Sequence, residues 1–327
     1  MRILPLVLIM LSSLTGALGN GERTVYPLSQ WDVEGMFVQA KAMLEDRSIQ
    51  NVDGVPMMLE TCAREGHFDA TLLLMDVYEG RFKGLDANPE RAALLAQSLA
   101  EAAVLDSKGA EGRNLRTEAM YRLALYREKG KGCKLNQKEA YKWMELAARR
   151  NMAPAAVEQA RYLINGTGVS RNPKLAWKLL YHQAIANPRT PHLFFYMGYM
   201  CFKGLGMPRN ARKAFELFRM GAKLGDAQCL NNLGTMFEKG YPSPRDEEAA
   251  YHLYRRAAEL GNKEASANMQ RLAFKEGIRA SHLSATPYRK RIDNATLHII
   301  QALPVSSDTR SRLSDWLLFY PSPEEES

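Results

Sequence analysis

Between Leu115 and Gly261 the apolar and polar positions fall into blocks of helical spacing, and the blocks themselves repeat. Glycines close similar segments at Gly130, Gly166, Gly204 and Gly240, at intervals of 36, 38 and 36 residues. Ten residues after each stands Ala140, Ala176, Ala214 or Ala250, and eight further on Ala148, Ala184, Ala222 or Ala258. Three beyond those come Asn151, Asn187, Gly225 and Gly261. The pattern predicts two helices per unit. The first ends at a Gly, the residue that most readily takes the left-handed conformation that stops a helix. A short loop follows, often with a second Gly, as at Gly132, Gly168 and Gly206. Six residues past the first Gly, Asn136, Asn172, Asn210 and Asp246 are placed to cap the second helix. The alanines lie on that second helix, where small side chains allow close helix approach.

These residues carry a family resemblance. Leu233-Gly234, Phe237, Gly240, Ala250, Ala257-Ala258 and Leu260-Gly261, with Phe202-Lys203-Gly204-Leu205-Gly206 and Arg212-Lys213-Ala214 one unit earlier, resemble the Sel-one-like repeat, a relative of the tetratricopeptide repeat. The resemblance implies an all-α fold, an α–α superhelix (solenoid) of stacked helix pairs in which each unit buries its apolar stripe against its neighbours. Weaker copies extend it: Ala63 and Gly66 keep the second-helix spacing, Leu72 to Gly80 reads as a first helix, and Pro89 to Ala103 as its partner. The 50-residue gap from Gly80 to Gly130 implies an insertion near Asp106 to Asn114. Ala265 to Gly277 reads as one more first helix.

The expected organisation is therefore a leader over residues 1–19, degenerate repeats with an insertion over 20–114, Sel-one-like repeats over 115–264, a helical cap over 265–320 and a mobile tail over 321–327. The cap is read from helices at Thr286 to Pro304 and Ser307 to Tyr320, with apolar stripes of Leu297, Ile299 and Ile300, and of Leu313, Trp316 and Leu317. The leader is read from the apolar run Ile3 to Leu14 and the small residues of Ala17-Leu18-Gly19, the layout of a secretory signal peptide. It predicts export to a periplasmic or extracellular space, with no membrane span in the mature chain.

Export adds an oxidising compartment, yet Cys62, Cys133, Cys201 and Cys229 fit no zinc spacing. In repeat register Cys201 lies eight residues further along its first helix than Cys229 does along the next, about 12 Å of rise, so no bridge between them is expected. The formal charge of +8 allows acidic partners, an anionic polysaccharide among them; no aromatic-plus-basic nucleic-acid motif is present.

No catalytic constellation emerges. His67, His182, His192, His252, His282 and His298 include no pair at the i, i+4 spacing of a zinc-protease helix, so neither metal nor cofactor is expected. The Gly166-Thr167-Gly168 string lacks the strand and the Gly-Lys-Ser/Thr pattern of a phosphate loop. Some secreted cysteine-rich members of the family it resembles are associated with beta-lactams, but this chain has no Ser-x-x-Lys and holds Ala148, Ala184, Ala222 and Ala258 where that branch carries cysteines. Asn165-Gly166-Thr167 and Asn294-Ala295-Thr296 match the glycosylation sequon.

Binding is the expected work. The resemblance implies that first helices line a concave groove. Slots seven and six residues before the closing Gly pack on the partner helix, while slots twelve, nine, five and two before it share another face. Before Gly204 those slots hold His192, Phe195, Tyr199 and Phe202; before Gly240, Asn231 and Glu238; before Gly166, Arg161; before Gly130, Tyr121. An aromatic stripe among polar residues suits a protein or glycan surface; equally, these rings could fill the core between units. The expected function is a non-enzymatic adaptor for a protein partner. A glycan-binding scaffold and a cell-wall or beta-lactam hydrolase are the alternatives.

Overall fold

The structure, a computed structural model, describes residues 33–46, 52–105, 113–190, 192–241 and 244–275. Among them are thirteen helices and no strand. The leader (1–19), the cap helices at 286–304 and 307–320 and the tail (321–327) lie outside the described residues. No helix among the described residues is long and apolar enough to cross a membrane.

The chain divides into two compact units between Met152 and Ala153. The first holds α1 (Val33–Glu45), α2 (Val55–Arg64), α3 (Phe68–Tyr78), α4 (Pro89–Leu105), α5 (Arg113–Lys129) and α6 (Gln137–Arg149). The second holds α7 (Ala153–Asn165), α8 (Pro173–Ala186), α9 (Leu193–Lys203), α10 (Ala211–Lys223), α11 (Ala227–Lys239), α12 (Glu247–Glu259) and α13 (Lys263–Lys275). Within each unit every helix packs on its neighbours in sequence, the arrangement of an α–α solenoid of helix pairs. Residues 106–112, in the expected insertion, are outside the described set.

The caps form as their residue types require. Asn136, Asn172, Asn210 and Asp246 accept the backbone N–H of Glu139, Leu175, Lys213 and Ala249 at 3.1, 3.0, 2.9 and 2.8 Å. Each satisfies one amide that the first turn leaves without a helical partner. Gly130, Gly166, Gly204 and Gly240 all lie in the left-handed region, with φ between 66° and 76°. All four Cys are free thiols.

A second set of caps ties successive repeats together within each half. His67, Asp226 and Asn262 each precede a first helix and accept the N–H of Ala70, Cys229 and Ala265. Each also reaches back to the start of the preceding first helix. The His67 ring, accepting at Nδ1, donates from Nε2 to Glu34 at 3.1 Å. Asp226 takes the N–H of His192 at 3.1 Å, and Asn262 donates to the Ala227 carbonyl at 3.4 Å. One side chain thus starts a helix and fixes its register against the one before.

The alanine slots require one correction. Ala140, Ala176, Ala214 and Ala250 are fully buried, and Ala184 and Ala222 are buried, but Ala148 and Ala258 are only half-buried. The contact in those pairs falls one residue earlier, on Ala147 and Ala257. A step of seven residues returns to within about 20° of the same helix side, whereas eight overshoots by about 80°. The matching residue of α10 is Gly221, where an added Cβ would lie 2.2 Å from Cys229 Sγ.

Gly132 shows how tightly the loops seat. A Cβ there would lie 1.9 Å from the Pro89 carbonyl oxygen, at the start of the preceding pair's second helix. Gly132→Ala is therefore expected to lower stability well beyond Gly66→Ala. Both force a side chain to positive φ, a penalty of about 1–2 kcal/mol, but nothing lies within 4 Å of an added Cβ at Gly66. Urea denaturation of both variants checks this; equal losses would contradict the seating.

Candidate functional site

Three first helices of the second unit, α7, α9 and α11, sort their side chains by slot. Seven and six residues before each closing Gly, Gln159 and Ala160, Met197 and Gly198, and Leu233 and Gly234 are all buried. The two glycines make room for the ring of the following helix: a Cβ would lie 2.6 Å from Phe218 Cε1 at Gly198 and 2.7 Å from Tyr254 Cε1 at Gly234. In the first unit Leu123 and Ala124 of α5 are buried in the same slots. These contacts orient each first helix and decide which side it leaves outward.

On α9 the outward side carries Phe195 and Tyr199, stacked at 6.2 Å between centroids and 25° between planes. Tyr196 meets Phe195 edge-on at 4.9 Å. All three are half-buried, so the rings form a supported surface rather than part of the core between helices. Tyr196 lies one residue off the slots read from the sequence. The Phe195–Tyr196 contact shows that a patch of rings spreads sideways beyond a stripe of strict helical spacing.

Arg161 and His192 take part in charge interactions of their own. Arg161 on α7 pairs with Glu158 at 2.6 Å and lies over the Tyr162 ring at 4.7 Å. His192, in the left-handed region at φ 59°, precedes α9, and its Nδ1 is 2.8 Å from Asp226 Oδ2. The Asp226 hydrogen bond raises the pKa of His192 against the opposing effect of burial, and the charges of Asp226 and Glu158 add to the rise. Burial would raise the pKa of Asp226, but hydrogen bonds from His192 and from the Cys229 N–H outweigh it and hold the carboxyl below its usual range. Glu158, His192 and Asp226, from three successive repeats, form a charged line.

Three other expected site residues are engaged elsewhere. Asn231 is buried, 3% exposed, and its side-chain oxygen accepts from Asn268 of α13 at 3.1 Å. Glu238 receives both guanidinium nitrogens of Arg271 at 2.8 and 2.7 Å and the Tyr254 hydroxyl at 2.9 Å. Both residues join α11 to its neighbours instead of presenting an open face. The α13 helix covers them, and a reading made one unit at a time does not anticipate that. Phe202 departs from the other α9 rings and lies under the Arg209 guanidinium, 5.2 Å from its centroid. Tyr121 lies half-buried on α5, in the first unit. Among the described residues no group of His, Cys, Asp and Glu is arranged to hold a metal.

A family model described as the Sel1 repeat matches residues 77–104, 117–152, 154–181, 195–226 and 227–262. Among solved structures, the Sel1 repeat protein of Oxalobacter formigenes is 21% identical, with a TM-score of 0.58 over 75% of this chain and 66% of that one. The protective antigen c5321 of uropathogenic Escherichia coli strains, which displays an SLR fold, is 18% identical, with a TM-score of 0.44 over 83% of this chain and 61% of that one. The chain thus spans just under two thirds of each. At this identity the first likeness speaks to the fold alone.

The charged line predicts a pH dependence. The pKa of His192 is raised, so its contribution is full below the unfolded value, about 6.5, and is lost as pH rises through the folded value. The pKa of Asp226 is lowered, so its contribution is present above the unfolded value, about 3.9, and is lost as pH falls through the folded value. The difference in melting temperature between the native chain and His192→Gln is therefore expected to be largest between about pH 4 and 6.5. A difference that grows above pH 8 would contradict the pairing.

Proposed function

Because the chain belongs to the Sel1-repeat family, whose members generally mediate protein–protein interaction, we propose that it is an exported, non-enzymatic scaffold that holds a protein partner on the outward face of α9. The observation that carries this reading is the Phe195–Tyr199 stack, half-exposed on α9. The other slots of α9 are taken up by packing: Met197 and Gly198 go into the helix pair, and Phe202 goes to Arg209. Rigid rings with charged neighbours give contact area with little loss of side-chain entropy and account for much of the affinity at protein interfaces.

Export is supported by the apolar run Ile3 to Leu14 with the small residues after it. The thiols are compatible with it. Burial pushes Cys201 up to about 12 and Cys229 well above its ordinary value. A buried, protonated thiol is a poor partner in disulfide exchange, so the chain can stay free of bridges in an oxidising space. Amino-terminal sequencing of the chain recovered outside the cytoplasm is expected to begin just after Gly19; a chain retained inside the cell with its first residues intact would contradict export.

Tyr199→Ala tests the face itself. A core aromatic truncation loses about 3–5 kcal/mol; for a half-exposed ring the loss is expected to be about 1–2 kcal/mol. Partner retention by the immobilised chain is expected to fall at a temperature where the variant is fully folded. A folded variant with undiminished retention would remove α9 from the interface.

A further inference from the structure

Between Glu158 and Glu216 the chain carries nine Lys and Arg and no Asp or Glu, more positive charge than the net +8 of the whole protein. The structure gathers five of these cations on two successive loops and the helix starts that follow them. Arg171 and Lys174 lie where α7 passes to α8; Lys203, Arg209 and Arg212 lie where α9 passes to α10. All five are exposed. The two loops are in contact, since a Cβ at Gly206 would lie 3.0 Å from the Pro173 carbonyl carbon. Among the described residues none of the five makes an ion pair.

Two of the guanidinium groups are held in place. Arg171 donates from Nε to the Ile164 carbonyl at 3.0 Å. Arg209 lies against two rings, 5.2 Å from the Phe202 centroid and 5.9 Å from that of Tyr241 in the next loop. Both stand immediately before a capping Asn and against the Gly that closes the preceding helix. The next repeat has Arg245 in this position, and there the chain supplies its own anion: Arg245 pairs with Glu247, the first residue of α12. The residues matching Glu247 in the two earlier repeats are Pro173 and Ala211. The first turns of α8 and α10 contain no acid at all, although a helix start favours one.

From this pattern we infer that the loop edge formed by Arg171, Lys174, Lys203, Arg209 and Arg212 is a docking surface for an acidic segment of a partner protein, whose carboxylates take the place that Glu247 fills within the chain one repeat later. The inference rests on the scaffold reading above and adds a second contact, at the loop edge rather than on the outward face of α9. A carboxylate is the group the fold itself sets against this arginine slot. Planar guanidinium groups with one side already supported lose little freedom in accepting it.

Fluorescence anisotropy with a labelled peptide of alternating Glu and Ser tests the surface in the intact chain. Binding is expected, weakening as salt rises. Arg171→Ser with Arg209→Ser should weaken it about tenfold. Ala211→Glu supplies the missing carboxylate within the chain and should weaken peptide binding while leaving the melting temperature unchanged or higher. No binding, or binding indifferent to the arginine pair or to Ala211→Glu, would overturn the inference. Polygalacturonate or oligodeoxythymidylate binding more tightly than the peptide, with the same sensitivity to the substitutions, would overturn the assignment to a protein segment. Partner retention through Tyr199 without peptide binding would refute this surface and leave the scaffold reading intact. Peptide binding that depends on the arginines, without retention through Tyr199, would refute only the α9 face.

Discussion

The close seating of one repeat's loop on the next governs what every other part of this molecule is free to do. Gly132 and Gly206 bring their loops against the first residues of the preceding second helix, Pro89 and Pro173, leaving no room for a side chain at Gly132 and only a tight fit at Gly206. Such contact needs glycine twice over, because the backbone there is also left-handed. Once the loops are seated, the caps His67, Asp226 and Asn262 set the spacing of successive first helices. The small slots at Gly198, Gly221 and Gly234 then bring helix axes close enough for Phe218, Cys229 and Tyr254 to fill the gaps.

Packing of this kind divides the surface into places that are used up and places that are not. Asn231 and Glu238 are absorbed where α11 meets α13. Phe195 and Tyr199 are not, because the packing slots at Met197 and Gly198 turn other sides of α9 toward its neighbours. The loop edge divides in the same way: Arg245 is neutralised by Glu247 inside the chain, while Arg171 and Arg209 are held in position without a carboxylate. The two surfaces assigned to binding are thus what remains after the repeat has satisfied itself.

Much of this was legible in the sequence wherever one residue type has one local job. The four second-helix caps and the four left-handed glycines followed from capping chemistry and helical period, while the buried packing slots followed from the resemblance to the repeat family. Ala148 and Ala258 were misplaced because a run of two alanines hides a one-residue shift in the contact stripe. The engagement of Asn231 and Glu238 was not legible, because it depends on Asn268 and Arg271 one repeat away. The sequence alone left the aromatic stripe open between core and surface; the structure places Phe195 and Tyr199 at the margin and turns Phe202 toward the loop. The acid-free stretch was visible in the letters but gained meaning only when Arg245 and Glu247 showed what the slot accepts.

On this reading, binding uses the side chains left over by repeat packing. Hydroxyl-radical footprinting of the chain, alone and with its retained partner, tests it most directly, since aromatic residues report their own exposure. Protection is expected at Phe195, Tyr196 and Tyr199, while Tyr181 on the second helix α8 reacts as before. Protection centred on Tyr181, with the α9 rings unchanged, would contradict it.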